Sequence, residues 1–408
     1  MPFKALLLLL FSVYPIALQA QHPDVNVLTA DSMHGRGYVM EGMQKAADYV
    51  ASAFEELGLL PLPETKGYFQ YFSHPVNTFP GEVSLSINGN LLQPGADYLA
   101  DPASPSIAGR YVLHTTKGMP PTDNSLIVIR DTFASTERYN RILEEIRNYC
   151  ALENTPGAGA ILVTQRKLTW SVATEQYAKP LLIIKENAWI DRAENIDIRV
   201  EARFVSDFRA ANVMAIARGT QQDSTVIIGA HYDHLGRMGR KTLFPGANDN
   251  ASGTAMLLDL ARYFSVHRPR YNMVFVAFAS EEAGLIGSRF FTENPPTPLE
   301  QVRLMINLDL TGTGQEGITV VNGSILHGIF DELQSLNERR ELLPVIKPRG
   351  EACNSDHCPF YNKGVPAIFI YTMGGIKAYH DIYDRAETLP LTEFINLKRL
   401  LIEYISSL

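Results

Sequence analysis

Two histidines and four carboxylates in this 408-residue chain are spaced as the donors of a divalent-metal site would be. The apolar run 226–230 stops at His231-Tyr232-Asp233-His234, the run closing at Ala279 stops at Ser280-Glu281-Glu282, and the run 304–308 stops at Asp309. Asp249 stands in the segment 246–253, ahead of a helix opening at Gly253, and His380 follows Gly374-Gly375 and Tyr379. Ligands of open α/β sheets bind beyond the carboxyl ends of strands, and imidazole with carboxylate suits zinc or a similar ion. Each residue alone has an ordinary reading: an Asp at a helix start is a cap, paired Glu a solvated turn, a lone His a filler of core or surface. Together their like charges would repel at successive strand ends unless a cation neutralised them.

The elements that must position these residues are legible as hydrophobic patterns. Strand-length apolar runs at 213–217, 224–230, 273–279, 303–308 and 366–371 predict an α/β fold with a mixed, mostly parallel central sheet flanked by helices. Apolar residues at spacings of three and four predict helices over 42–59, 253–264 and 391–405, the last with Thr392 as its cap. Between Phe72 and Ser206 the texture changes to short runs at 83–87, 125–129, 158–163 and 180–184, broken by Pro, Gly and Ser, with a helix over 136–149. That stretch reads as a small β-rich insert. At roughly 100–200 residues per domain the length allows two or three domains. The expected division is 1–20 signal peptide, 21–78 first part of the catalytic domain, 79–205 insert and 206–408 remainder of the catalytic domain.

A net charge of −8, with 46% hydrophobic and 20% charged residues, excludes a disordered chain and leaves no basic footprint for nucleic acid or anionic lipid. Lys4, the apolar stretch 5–18 and the small residue Ala20 predict a signal peptide cleaved near Ala20, placing the mature chain in the periplasm or outside the cell. The apolar stretch is shorter than the ~20 residues a membrane span needs, so no membrane partner is expected once it is removed. Of three cysteines, Cys353 and Cys358 are close enough to pair in an oxidising compartment, and Cys150 reads as a buried small hydrophobe.

The ordered series HYDHLG (231–236), PGANDNASG (245–253), ASEEAGLIGS (279–288), INLDL (306–310), SDHCPF (355–360), GVPAIF (364–369) and YHDIYD (379–384) resembles the co-catalytic zinc aminopeptidases of metallopeptidase family 28. LTADSMHGRG (28–37) and AADYVASAFEELGL (46–59) are similar to that family's opening, and GAGAILV (157–163) with PLLII (180–184) is similar to the protease-associated domain some members insert. The resemblance implies the zinc-exopeptidase fold, shared by leucyl aminopeptidases and glutamate carboxypeptidase-like enzymes. It implies two zinc ions, one held by His231, Asp249 and Glu282 and the other by Asp249, Asp309 and His380, with Asp249 bridging. Glu281 is then the general base and Asp233 orients His231. Carboxylate-rich sites also accept cobalt or manganese.

The implied activity is hydrolysis of N-terminal residues from a peptide substrate. His234 is expected to support the site without ligating, and Asp384 to support His380. The family's oxyanion tyrosine has no counterpart in residues 350–354, leaving Tyr379 as the substitute. Asp356 and His357 fall on the pocket wall or serve the turn that holds them. Arg237 to Lys241 reads as a solvated basic loop, with anchoring of a substrate carboxylate as its functional reading. Three other activities share this scaffold: a one-zinc glutaminyl cyclase, a carboxypeptidase or dipeptidase, and a non-catalytic binding module. Oligomeric state has no signature in the sequence.

Overall fold

The computed structural model describes residues 22–63, 65–115, 120–132, 135–190 and 193–408. The expected signal peptide, 1–20, lies outside the described residues. Among the described residues no helix is long and apolar enough to cross a membrane.

Two eight-stranded sheets organise the chain. The first runs, in spatial order, Phe69–Thr78, Arg203–Ala217, Tyr271–Phe278, Gln221–His231, Val302–Leu308, Ala367–Thr372, Ile318–Val321 and Ile346–Pro348. Its third to sixth strands are mutually parallel, and the remaining pairs mix both directions. Alternation along these strands sends side chains to opposite faces. Val226, Ile228 and Ala230 join Phe275, Ile306 and Ile370 in the core beneath the helices Gly42–Glu56, Gly253–Val266 and Phe394–Ser407. Ile227, Val274, Val276 and Met305 face the other way, onto Phe291 and Phe360 of the helices Ile286–Glu293 and His357–Asn362. Burial on both faces explains why the central strands are nearly continuous apolar runs.

The second sheet runs Asn90–Leu92, Val83–Ile87, Asn195–Val200, Ile107–His114, Ser125–Arg130, Gly159–Thr164, Leu181–Lys185 and Tyr98–Ala100. The helix Thr136–Ala151, opened by Ser135 accepting the Arg138 amide at 3.2 Å, packs beside it. The chain leaves the first sheet after Thr78 and re-enters at Arg203, which pair with each other, so this unit is an excursion from one hairpin-like edge. Its apolar core is nevertheless shared, because Leu235, Met238, Phe244 and Ile382 of the flanking unit belong to it.

Helix boundaries and two short strands differ from the sequence reading. The first long helix ends at Glu56 because Gly58 turns left-handed at φ 66°. The last helix begins at Phe394, and Thr392 does not cap it. The amides of Leu391 and Glu393 instead bond Gly312 O and Thr313 O, which ties that stretch across the molecule before the helix can start. The strands Ile318–Val321 and Ile346–Pro348, four and three residues long, are too short to show a period. Cys353 and Cys358 form a disulfide, and Cys150 is a buried free thiol.

An ion cluster joins the N-terminal helix Pro23–Leu28 to the two long helices. Asp259 accepts Lys398 Nζ at 2.8 Å and Arg262 Nη1 at 3.0 Å, with His22 Nε2 at 3.4 Å, while Arg262 also reaches Asp24 at 2.7 Å. Burial alone would raise the Asp259 carboxyl, but hydrogen bonds from His22 and Lys398 outweigh it and hold it below the ordinary range. A carboxyl depressed in the folded state adds stability that is complete above its unfolded value near ~3.9 and is lost as pH falls through the folded value. Asp259→Asn is expected to cost about 1–3 kcal/mol at pH 7, with the gap narrowing as pH falls below about 4. Urea titrations of both proteins at pH 7, 4 and 2 check this, and a gap that does not narrow contradicts it.

Candidate metal centre

The strand Gln221–His231 lies between Tyr271–Phe278 and Val302–Leu308 and runs parallel to both, so His231, the turn after Phe278 and Asp309 emerge together. Ser280 is left-handed at φ 58°, and the chain it redirects sends its next two side chains apart. Donor atoms of Glu281, His231 and Asp309 lie within 4.8 Å of one another, and so do those of Glu282, His234 and Asp249. The buried Asp233 carboxylate fixes this turn by accepting the amides of Glu281 at 3.1 Å and Glu282 at 3.3 Å.

Asp249 is delivered by a segment that departs from helical geometry just before Gly253, with a cis peptide to Asn250. Its position is set from outside. Asp384 accepts the amides of Asn248 at 2.8 Å and Asp249 at 2.9 Å. The fully buried Arg36 guanidinium donates to Tyr232 O and Pro245 O at 2.8 Å, Gly246 O at 2.7 Å and Leu28 O at 2.9 Å. Gly246 sits at φ 61°, and a Cβ there would meet Asp249 O at 2.2 Å and the His234 ring at 2.4 Å, so only glycine fits.

Asp249 presents one oxygen to each of two imidazoles. Oδ1 lies 3.4 Å from His231 Nε2, and Oδ2 lies 3.0 Å from His380 Nε2. His231 Nε2 is also 3.5 Å from Asp309 Oδ1, and His380 Nε2 is 3.1 Å from Glu282 Oε2. The donors therefore group as His231, Asp249, Asp309 and as His380, Asp249, Glu282. This corrects the pairing implied by the resemblance, which set Glu282 with His231 and Asp309 with His380. The separation of the two glutamates after Ser280 is the reason: it leaves Glu281, not Glu282, beside His231.

The supporting contacts also differ in part from expectation. Asp384 holds the Asp249 segment and makes no bond to His380. The His380 imidazole is instead oriented by the carbonyl of Trp170, 3.0 Å from Nδ1. Asp233 meets His231 Nδ1 through its own carbonyl at 3.2 Å, its carboxylate standing at 3.7 Å. His234 Nδ1 reaches Glu282 Oε1 at 2.7 Å. Ser355 donates to Asp309 Oδ2 at 3.0 Å. Among the described residues the Glu281 carboxylate makes no hydrogen bond.

The donor set fits a cation. His231 Nε2 and Asp309 Oδ1 are buried and face each other and Asp249 without a hydrogen-bond partner, as ligand atoms do when the charge they serve is not among them. Burial lowers an imidazole, yet in the protein alone the Glu282 charge and hydrogen bonds to Asp249 and Glu282 push His380 up to about 11. Burial likewise opposes ionisation of Asp249, but His231 and His380 hold it well below the carboxylate range. The carboxylates draw positive charge onto whatever lies among them. Glu281 behaves differently: burial, reinforced by Asp356, Glu282 and Asp309 against the opposing His231, raises it well above the usual carboxylate value. Burial also raises Asp233 and Asp384 to about 7.

A cavity of about 260 Å³ opens on the cluster, lined by Asp249, Glu281, Glu282, Asp309, His380 and Tyr379, with Leu285 and Phe369 as apolar wall. Tyr379 stacks on His380 with ring centres 4.0 Å apart, and burial with the nearby carboxylates raises its phenol, keeping it protonated. Asp356 and His357 are buried and lie outside this lining. Arg237 bonds His34 Nδ1 and Arg240 O, while Lys241 lines a separate cleft of about 810 Å³ with Asp31, Arg385 and Glu387. Neither faces the cluster, and that cleft holds none of its donors.

Sequence reasoning assigned nothing to Arg36 or Trp170. Arg36 carried a faint signal, a charged residue between Gly35 and Gly37, which allow the close approach to Gly236. Trp170 carried none, since its contribution is a main-chain carbonyl.

These features define an α/β protein with an imidazole–carboxylate centre at the carboxyl edge of its main sheet. Residues 212–405 match the model of Peptidase family M28. A probable leucine aminopeptidase of Arthroderma otae is 31% identical over 180 residues, covering 41% of this chain and 48% of that protein. The aminopeptidase YwaD of Bacillus subtilis is 25% identical over 228 residues, covering 53% of this chain and 48% of that one. The chain thus spans about half the length of these curated relatives. The crystal structure of a zinc aminopeptidase from Bacillus subtilis is similar in fold, with a TM-score of 0.70 over 94% of this chain and 93% of that one, at 18% identity.

Proposed function

We propose that this chain is a two-zinc aminopeptidase, removing N-terminal residues from peptides. The observation that carries the reading is Asp249 standing between two imidazoles, each of which meets one further carboxylate. His231, Asp249 and Asp309 would hold one zinc, and Asp249, Glu282 and His380 the other. When bound, such ions supply Lewis acidity, polarising a carbonyl and bringing the pKa of water toward ~7.

The chain's own groups supply the rest. Glu281, beside the ligands and with a carboxylate that makes no hydrogen bond among the described residues, accepts the proton of the attacking water and returns it to the leaving amine. Asp233 holds both glutamate amides and His231, Trp170 O fixes the His380 tautomer with Nε2 facing the cluster, and His234 and Ser355 each occupy an oxygen of a ligand carboxylate. Tyr379, kept protonated, offers a hydrogen bond to the polarised carbonyl oxygen. Leu285 and Phe369 give the apolar wall for a substrate side chain. The family match and the relatives' names support the peptidase and zinc parts of this reading.

Free and N-acetylated leucyl peptides, offered to the zinc-loaded protein, test it. Cleavage of the free amines alone is expected. Release from the other end of acetylated peptides would make the chain a carboxypeptidase. Cyclisation of N-terminal glutamine without hydrolysis would make it a cyclase, and no turnover a binding module.

A further inference from the structure

The loop that carries His380 is poorly supported by its own unit. Residues 373–379 contain no helix or strand, and Gly374, Gly375 and His380 all have positive φ, at 83°, 79° and 52°. Met373 at its start still bonds Gly317 O and the Glu316 amide of the first-sheet unit, but beyond it the carbonyls of Lys377 and Tyr379 accept from the second-sheet unit. Lys167 Nζ donates to Lys377 O at 2.8 Å and Tyr379 O at 3.0 Å, and it meets the buried Asp381 carboxylate at 2.7 Å. Three acceptors thus match the three protons of one ammonium. Three residues further along, Trp170 engages His380 through both main-chain groups: its amide donates to His380 O at 2.9 Å, and its carbonyl takes His380 Nδ1 at 3.0 Å.

Trp170 is itself immobilised. Its indole Nε1 donates to Ala100 O at 2.8 Å, and its ring stacks on Phe244 with centroids 4.7 Å apart. Ala100 belongs to the second sheet, and Phe244 stands two residues before the Gly246 turn that presents Asp249.

We propose that Lys167 and Trp170 are positioning residues for His380, so that the inserted unit sets the affinity of the cation held by His380, Glu282 and Asp249. The inference rests on the two-zinc reading above. An imidazole ligand whose other nitrogen and main chain are pinned loses little freedom on binding metal, whereas one on an unbraced loop must be ordered at that moment.

The test is zinc binding to the purified protein, by competition with a chromophoric chelator, for wild type, Lys167→Met and Lys398→Met. Lys167 is half-exposed but pairs with the buried Asp381, so Lys398→Met, which removes a comparable ion pair to Asp259, controls for a general loss of stability. The expected result is that Lys167→Met weakens one of two zinc equivalents by about 10–100-fold and leaves the other unchanged, while Lys398→Met changes neither. Wild-type affinity at both equivalents in Lys167→Met overturns the inference and spares the two-zinc reading. Equal weakening in Lys398→Met also overturns it, by showing a general loss of stability. A wild type that binds no zinc overturns the two-zinc reading, and this inference with it.

Discussion

Replacing Glu281 with glutamine is expected to lower kcat by about 10²–10⁴-fold while zinc content and fold remain those of the wild type. Glutamine keeps the volume and one acceptor oxygen but cannot take a proton. The environment makes the glutamate a competent base. In the protein alone, burial and the charges of Asp356, Glu282 and Asp309 outweigh His231 and raise its affinity for a proton, while bound cations would draw it back toward the ionised form that accepts one; among the described residues no hydrogen bond competes for its oxygens. Its backbone amide is held by Asp233, so the substitution does not disturb the turn that sends Glu282 toward His380. Steady-state kinetics and metal analysis of the purified variant decide the matter. A variant within tenfold of wild-type kcat would remove Glu281 from the proton path.

The second large effect is structural. Arg36→Met is expected to destabilise the chain by about 3–5 kcal/mol, the range for removing one partner of a buried charge cluster. Five buried carbonyls, of Leu28, Tyr232, Pro245, Gly246 and, at 3.4 Å, Asp249, would each lose a charged donor. The guanidinium is lowered by burial to about 10, with Asp249 and Asp384 the leading opposing charges, so it stays positive at neutral pH. It serves as a fixed cation behind the ligands as well as a brace. Urea unfolding measures the loss, and a variant within 1 kcal/mol of the wild type by this criterion would show that the carbonyls find other partners.

What could be read in advance follows from how local each determinant is. The central strands announced themselves because both faces are buried, and the helix from Gly253 did so because its apolar stripe faces one sheet. Three of the five donors were visible because strand ends are sequence-local places to put a side chain, and Asp249 and His380 because each sits in a short glycine-flanked segment. Their grouping was not, since it depends on which strands lie side by side, the strand of His231 next to the one that ends before Asp309, and on how the turn at Ser280 parts Glu281 from Glu282. The role of Asp384 was misread for a related reason: four residues from His380 in sequence, it bonds the amides of Asn248 and Asn248's neighbour, more than 130 positions away. Arg36 and Trp170 act across 196 or more positions on Tyr232 and His380, and their contacts are with main-chain atoms that leave no residue-type signature. The second sheet was recognised by its short, punctuated runs, but its hold on the His380 loop has no counterpart in any motif.

The claim on which everything else depends is that the cluster around Asp249 is a two-cation hydrolytic centre. Its most direct test is to strip the purified protein with a chelator and return zinc stepwise, following bound metal and hydrolysis of a free leucyl peptide together. The account predicts no activity in the stripped protein and recovery that saturates as the ligand set fills, at about two equivalents. Undiminished activity after stripping, or a chain that takes up no zinc at the cluster, would contradict it.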